Sequence, residues 1–128
     1  MLVETPSILI TDDDLAFRET VKGMLVPRGF RMLTAADGEE ALKILGAEPV
    51  HLLLLDMHMP RLTGLETVRR IRQGNSRLPC VLLSAALDDT IVQQARLAEV
   101  FSVLPKPVSR ADITSTVDQV FRRIYGWP

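Results

Sequence analysis

Four leucines running into an aspartate, "HLLLLD" at residues 51–56, constrain this chain more than any other stretch. A run without polar alternation suits a strand covered on both faces, as in a parallel sheet between two helical layers. "SILIT" (Ser7–Thr11) and "CVLLS" (Cys80–Ser84) have the same character. "RMLTA" (Arg31–Ala35) is mixed enough for a sheet edge, and "FSVL" at residues 101–104 gives a fifth, shorter run.

Helix patterns lie between these runs. Phe17, Val21, Met24 and Leu25 share one face, stopped by Pro27 and Gly29. Asp37 with Glu40 three residues on reads as a capping box for a helix through Ala41, Leu42 and Leu45. Leu65, Val68 and Ile71 form a third stripe, closed by "QGN", and Ile91, Ala95 and Ala98 a weaker fourth. Ser109 and Asp112 open the last helix, whose face is Ile113, Val117, Val120, Phe121 and Ile124; Arg122 and Arg123 fall in its final turn, where cations suit the helix dipole. Strict alternation with short connections predicts an α/β fold, a doubly wound parallel sheet of five strands. With no linker, repeat or low-complexity stretch, residues 1–128 read as a single domain.

In such a sheet every strand points its C-terminal end at one edge, where ligands bind. Asp12 and Asp13 follow the first run, Asp56 follows the third, Ser84 closes the fourth, and Lys106 follows the fifth within "PKP". Three carboxylates gathered there repel, each raising the others' pKa, and Lys106 offsets only one charge. A divalent cation would cancel the rest, and an all-oxygen donor set suits Mg²⁺, or Mn²⁺ in its place. A cation, an ammonium, a hydroxyl and backbone N–H groups around one carboxylate would stabilise phosphoryl oxygens during transfer to that carboxylate, giving an aspartyl phosphate. Gly64, in "MHMPRLTG", either supplies a positive φ or lets backbones approach closely.

Plainer readings stand beside these. Asp14 caps the first helix, Ser84 is a strand-end hydroxyl bonded to backbone, and Lys106 alone is a solvated lysine. His51 is structural, Cys80 a buried inert thiol, and Tyr125 and Trp127 a partly exposed tail or the stub of a linker. The ring of His58 has no second histidine or cysteine at ligand spacing, so it borders the pocket rather than binding metal.

Four pieces in order, "ILITDDD", "LLLLDMHMPRLTG", "VLLSA" and "FSVLPKP", make the chain resemble the receiver domain of two-component response regulators over nearly its whole length. The resemblance implies a flavodoxin-like (βα)5 fold with strand order 2-1-3-4-5. It implies Asp56 as phosphoryl acceptor, with Ser84 and Lys106 binding the phosphoryl group. Mg²⁺ would be held by Asp56, by Asp13 directly, by Asp12 through water and by the backbone carbonyl of His58, and the Lys106–Pro107 bond would be cis.

The resemblance further implies a histidine kinase or phosphotransfer protein as donor, and a domain that catalyses only its own phosphorylation and dephosphorylation. Its output is a shift of the surface formed by the fourth helix, fifth strand and fifth helix, read by an output domain or downstream protein. A phosphorylation-dependent homodimer is left open, as is excision of the domain from a longer regulator. Val103, stiff and small, departs from the family at a switch position often aromatic, and Glu99 stands where glycine is common.

Composition narrows the rivals. The net charge of −1 gives no general attraction to nucleic acid or anionic membrane, and no basic face or recognition motif is present. No apolar run approaches the roughly 20 residues of a membrane helix, and the first residues lack a signal-peptide pattern, so the cytoplasm is the expected compartment. A flavodoxin-like carrier would want a small-residue phosphate cradle where "TDDDLAF" presents carboxylates. A phosphatase of the haloacid-dehalogenase type would want an aspartate at position 58. The remaining alternative is a phosphorylation-independent interaction module of the same fold.

Overall fold

The computed structural model describes residues 5–128. The apolar runs become β1 (Ser7–Thr11), β2 (Arg31–Ala35), β3 (Leu52–Asp56), β4 (Cys80–Ser84) and β5 (Ser102–Pro105). They alternate with α1 (Leu15–Leu25), α2 (Gly38–Ala47), α3 (Gly64–Gln73), α4 (Asp89–Leu97) and α5 (Arg110–Tyr125), and a 3₁₀ turn at Val26–Arg28 follows α1. All pairings are parallel, in the order β2-β1-β3-β4-β5. The mixed run "RMLTA" lies at an edge, as its composition predicts.

The unbroken apolar runs have a direct structural cause. Along β1, β3 and β4 alternate side chains enter opposite cores. Ile8, Ile10, Leu52, Leu54, Val81 and Leu83 pack with Val21 and Leu25 of α1 and with Val117 and Phe121 of α5. Leu9, Leu53, Leu55 and Leu82 pack on the other side with Ala41, Leu65, Val68 and Ala95. Neither face of the central strands meets water, so no polar alternation is needed.

Helix starts follow the sequence signals with some relocation. Asp14 caps α1 by accepting from the Ala16 and Phe17 N–H groups. Ser109 accepts from Asp112 N–H at the start of α5. At α2, Asp37 accepts from Glu40 N–H, but the Glu40 carboxylate accepts from Ala36 N–H instead of closing the box on Asp37. A complete box sits at α3, where Thr63 and Glu66 exchange both bonds.

Other expectations shift. β3 begins at Leu52, with the His51 ring accepting from Ser7 N–H just before it, and β5 begins after Phe101. Ile124 is 52 % exposed, beyond the sheet that α5 covers. Tyr125 and Trp127 are partly exposed, as expected of a tail, but they are packed against the domain. Trp127 stacks on Phe30 at 5.9 Å between ring centres and lies 4.8 Å from the Phe121 ring, and Tyr125 packs on Phe121 and donates to the His51 carbonyl.

Candidate functional site

The β1–β3–β4 strand ends and the turn after β5 assemble one acidic pocket. Oxygens of Asp12, Asp13 and Asp56 all lie within 4.8 Å of one another. Asp12 is buried with both oxygens engaged: one accepts from Asp14 N–H, the other from Lys106 Nζ at 2.6 Å. Lys106 Nζ also lies 3.4 Å from an Asp56 oxygen. Asp13 is exposed, yet a carboxylate oxygen of it stays within the cluster.

Electrostatic strain is visible at Asp56. Burial pushes its pKa up most strongly, Lys106 pulls it down, Asp12 pushes it up again, and the His58 backbone N–H lowers it; the net effect is a raised value. At Lys106, burial disfavours the ammonium, but the bond and charge of Asp12, then those of Asp56, outweigh it and raise the pKa. One amine therefore leaves three carboxylates incompletely neutralised. An all-oxygen cluster with residual negative charge fits a hard divalent cation.

Ser84 is buried beside Asp56, one residue beyond the Asp56–Leu83 pairing. Its hydroxyl accepts from Ala86 N–H at 3.2 Å and is hydrogen-bonded to His58 Nε2 at 3.0 Å. The exposed His58 ring thus borders the pocket as expected, through a contact the sequence did not reveal. The Lys106–Pro107 bond is cis. Val103 is half-buried opposite Leu82 and packs in the α3–α4 core, whereas Phe101 packs in the α1–α5 core with Arg123 over its ring.

The loops carry two geometric requirements. A Cβ on Gly64 would meet the Asp56 carbonyl oxygen at 2.4 Å, so close backbone approach, not positive φ, demands glycine there. Among non-glycine residues positive φ falls on Arg61, Asn75 and Glu99 instead, at 68°, 63° and 59°. Glu99 follows the last turn of α4, where helices commonly end in the left-handed conformation that glycine favours. The departure at Glu99 therefore changes the residue and keeps the turn.

A parallel five-stranded sheet between helical layers, with an acidic cluster at its carboxyl edge, is a doubly wound α/β architecture whose cluster lies where such sheets bind ligands. The family model for the response regulator receiver domain matches residues 8–118, and the chain belongs to that family. Among curated proteins it is 36 % identical over 118 residues to the transcriptional regulatory protein AfsQ1 of Streptomyces coelicolor, covering 92 % of this chain and 52 % of that one. It is 32 % identical over 119 residues to response regulator RR06 of Streptococcus pneumoniae, covering 93 % and 54 %. The chain thus spans about half the length of these relatives. The chemotaxis protein CheY4 of Vibrio cholerae superposes with a TM-score of 0.86 at 26 % identity, over 91 % of this chain and 98 % of that one.

Membership makes the domain a phosphoacceptor signalling module of two-component systems, not a conventional enzyme, and the phosphorylation-independent alternative is not favoured. The family binds Mg²⁺ at an acidic pocket and works with histidine kinases and output domains. Among the described residues, no helix is long and apolar enough to cross a membrane.

Proposed function

We propose that Asp56 is the phosphoryl acceptor of this chain, with Asp12 and Asp13 holding Mg²⁺ and Ser84 and Lys106 binding the transferred group. The convergence of three carboxylates and one ammonium at a single sheet edge carries this reading. Mg²⁺, or Mn²⁺, would neutralise the phosphoryl oxygens as they approach the carboxylates. Asp13 serves as the direct ligand, because both oxygens of Asp12 already accept protein hydrogen bonds. The Asp56 carboxylate and the His58 backbone carbonyl complete the protein's share.

In the transfer, an Asp56 oxygen forms a bond to phosphorus as the phosphorus–nitrogen bond of a donor phosphohistidine breaks. The imidazole leaves with the electron pair and takes up a proton. Lys106 follows the charge onto the phosphoryl oxygens, and Ser84 exchanges its bond to His58 for one to a phosphoryl oxygen. His58 then borders the path by which water hydrolyses the aspartyl phosphate.

The donor is a histidine kinase or phosphotransfer protein. The readout is the α4–β5–α5 surface, passed to an output domain or downstream protein in the cytoplasm; the name of the Streptomyces coelicolor relative points to transcription as one such output. Residues 1–128 act as one receiver domain, with a phosphorylation-dependent homodimer as one mode of action.

Incubation with acetyl phosphate and Mg²⁺, read by intact mass, tests the assignment. One added phosphoryl group is expected, lost with a chelator and absent in Asp56→Asn. Labelling that persists in Asp56→Asn overturns the choice of acceptor.

A further inference from the structure

Lys106 presents an ammonium with three N–H donors, and two directions are accounted for by Asp12 and Asp56. The third is closed by an aromatic ring. Lys106 Nζ stands 4.3 Å from the centre of the Phe17 ring, well within the roughly 6 Å at which a cation is attracted to a π face. Phe17 is held there by its position in the first turn of α1, where its backbone N–H donates to the capping carboxylate of Asp14.

Beyond the ring runs a groove of about 430 Å³ between α1 and the turn after β5, lined by Thr20, Met24, Pro107 and Val108 besides Phe17 and Lys106. Phe17 and Lys106 both line this cleft, with the ring covering one side of the ammonium. The lysine stem has four carbons and turns readily toward water, where an ammonium is strongly hydrated. With the face of Phe17 beneath it, the ammonium has no comparable solvent partner on that side, and its side chain is only 20 % exposed.

We propose that Phe17 is a positioning residue for phosphoryl transfer, holding Lys106 over the pocket through its π face. The proposal rests on the reading of Asp56 as acceptor and Lys106 as the cation that follows the phosphoryl charge. In the sequence Phe17 is one member of an apolar stripe. In the structure it is also the wall of the catalytic lysine's site. A leucine would preserve the stripe and lose the wall.

The test compares Phe17→Leu and Phe17→Tyr, each alone and combined with Lys106→Met. Phosphorylation by acetyl phosphate at saturating Mg²⁺ should slow about three- to tenfold in Phe17→Leu, the span of a partly exposed cation–π contact, and stay near the unsubstituted rate in Phe17→Tyr. In the Lys106→Met background the same change to leucine should have no further effect on the residual rate. Urea unfolding without Mg²⁺ of the unsubstituted protein, Phe17→Leu, Lys106→Met and their combination gives the Phe17–Lys106 coupling independently of any phosphorylation, and a favourable coupling is expected.

Equal slowing by leucine in both backgrounds, failure of tyrosine to restore the rate, or strict additivity in unfolding overturns the proposal. Absence of labelling in the unsubstituted protein would instead count against Asp56 as acceptor, leaving the unfolding cycle to decide on Phe17.

Discussion

The centre of the sheet and its β5 edge are built to different standards. β1, β3 and β4 are buried at every position, and Asp12, Asp56 and Ser84 are anchored on their ends. At the other edge α4 buries only Ala95 within its span, β5 is half-buried, and Leu97 is 79 % exposed. The carboxylates of the proposed site sit where packing is densest, and Lys106 reaches them from the turn after β5. The proposed readout surface includes α4, whose single buried residue puts it toward the low-stability end from which moving elements are drawn.

The contrast breaks most sharply under core truncation. Leu54→Ala, in the middle of β3, should cost about 3–5 kcal/mol in urea unfolding. A cost below about 1 kcal/mol would mean that the centre is no tighter than the edge.

Arg72 is the next test, because it ties the edge to the rest. Its guanidinium donates to the carbonyls of Ser76, Leu78, Ala98 and Glu99, joining the end of α3, the approach to β4 and the turn after α4. Arg72→Ala should cost about 2 kcal/mol, since hydrogen bonds to a charged donor are lost while partly exposed carbonyls regain water. Hydrogen exchange should accelerate in α4 before it does in β3. Uniform acceleration would erase the distinction between the regions.

The centre also carries a built-in cost. Asp56→Asn removes a like charge from the pocket, and without Mg²⁺ it should raise stability by about 1–2 kcal/mol at neutral pH, the attraction of Lys106 offsetting part of the repulsion. The pH dependence has a definite sign. The folded-state pKa of Asp56 lies above its ordinary value of 3.8, so ionisation of Asp56 lowers stability as pH rises through that window. The advantage of Asn should be full at neutral pH and shrink on acidification through the raised pKa. An advantage that grows on acidification would contradict the crowding of carboxylates. The smallest effect is expected at the edge: Leu97→Ser should change stability by no more than about 0.5 kcal/mol.

The same division decided what was legible in the sequence. Strands covered on both faces leave continuous apolar runs, so β1, β3 and β4 could be located to within a residue. The pocket was legible because parallel topology alone gathers strand ends, placing Asp12, Asp13, Asp56, Ser84 and Lys106 together without knowledge of any side-chain torsion. Contacts that depend on torsions were hidden. The His58–Ser84 bond and the Lys106–Phe17 contact join residues that no local period relates. Tyr125 and Trp127 read as a tail because their partners, His51 and Phe30, lie far back in the chain. The capping box of Thr63 and Glu66 is masked in the sequence because Thr63 stands in a loop carrying Pro60 and Gly64, which read as turn residues.

The docking of Trp127 against Phe30 and Phe121 has a practical corollary. It is the chain's one indole, and it rests at the sheet margin where strands begin, a full strand length, roughly 15 Å, from the carboxylates where they finish. Its emission should therefore follow global melting faithfully while staying nearly blind to cation loading. A spectroscopic probe of occupancy has to be introduced at the opposite rim.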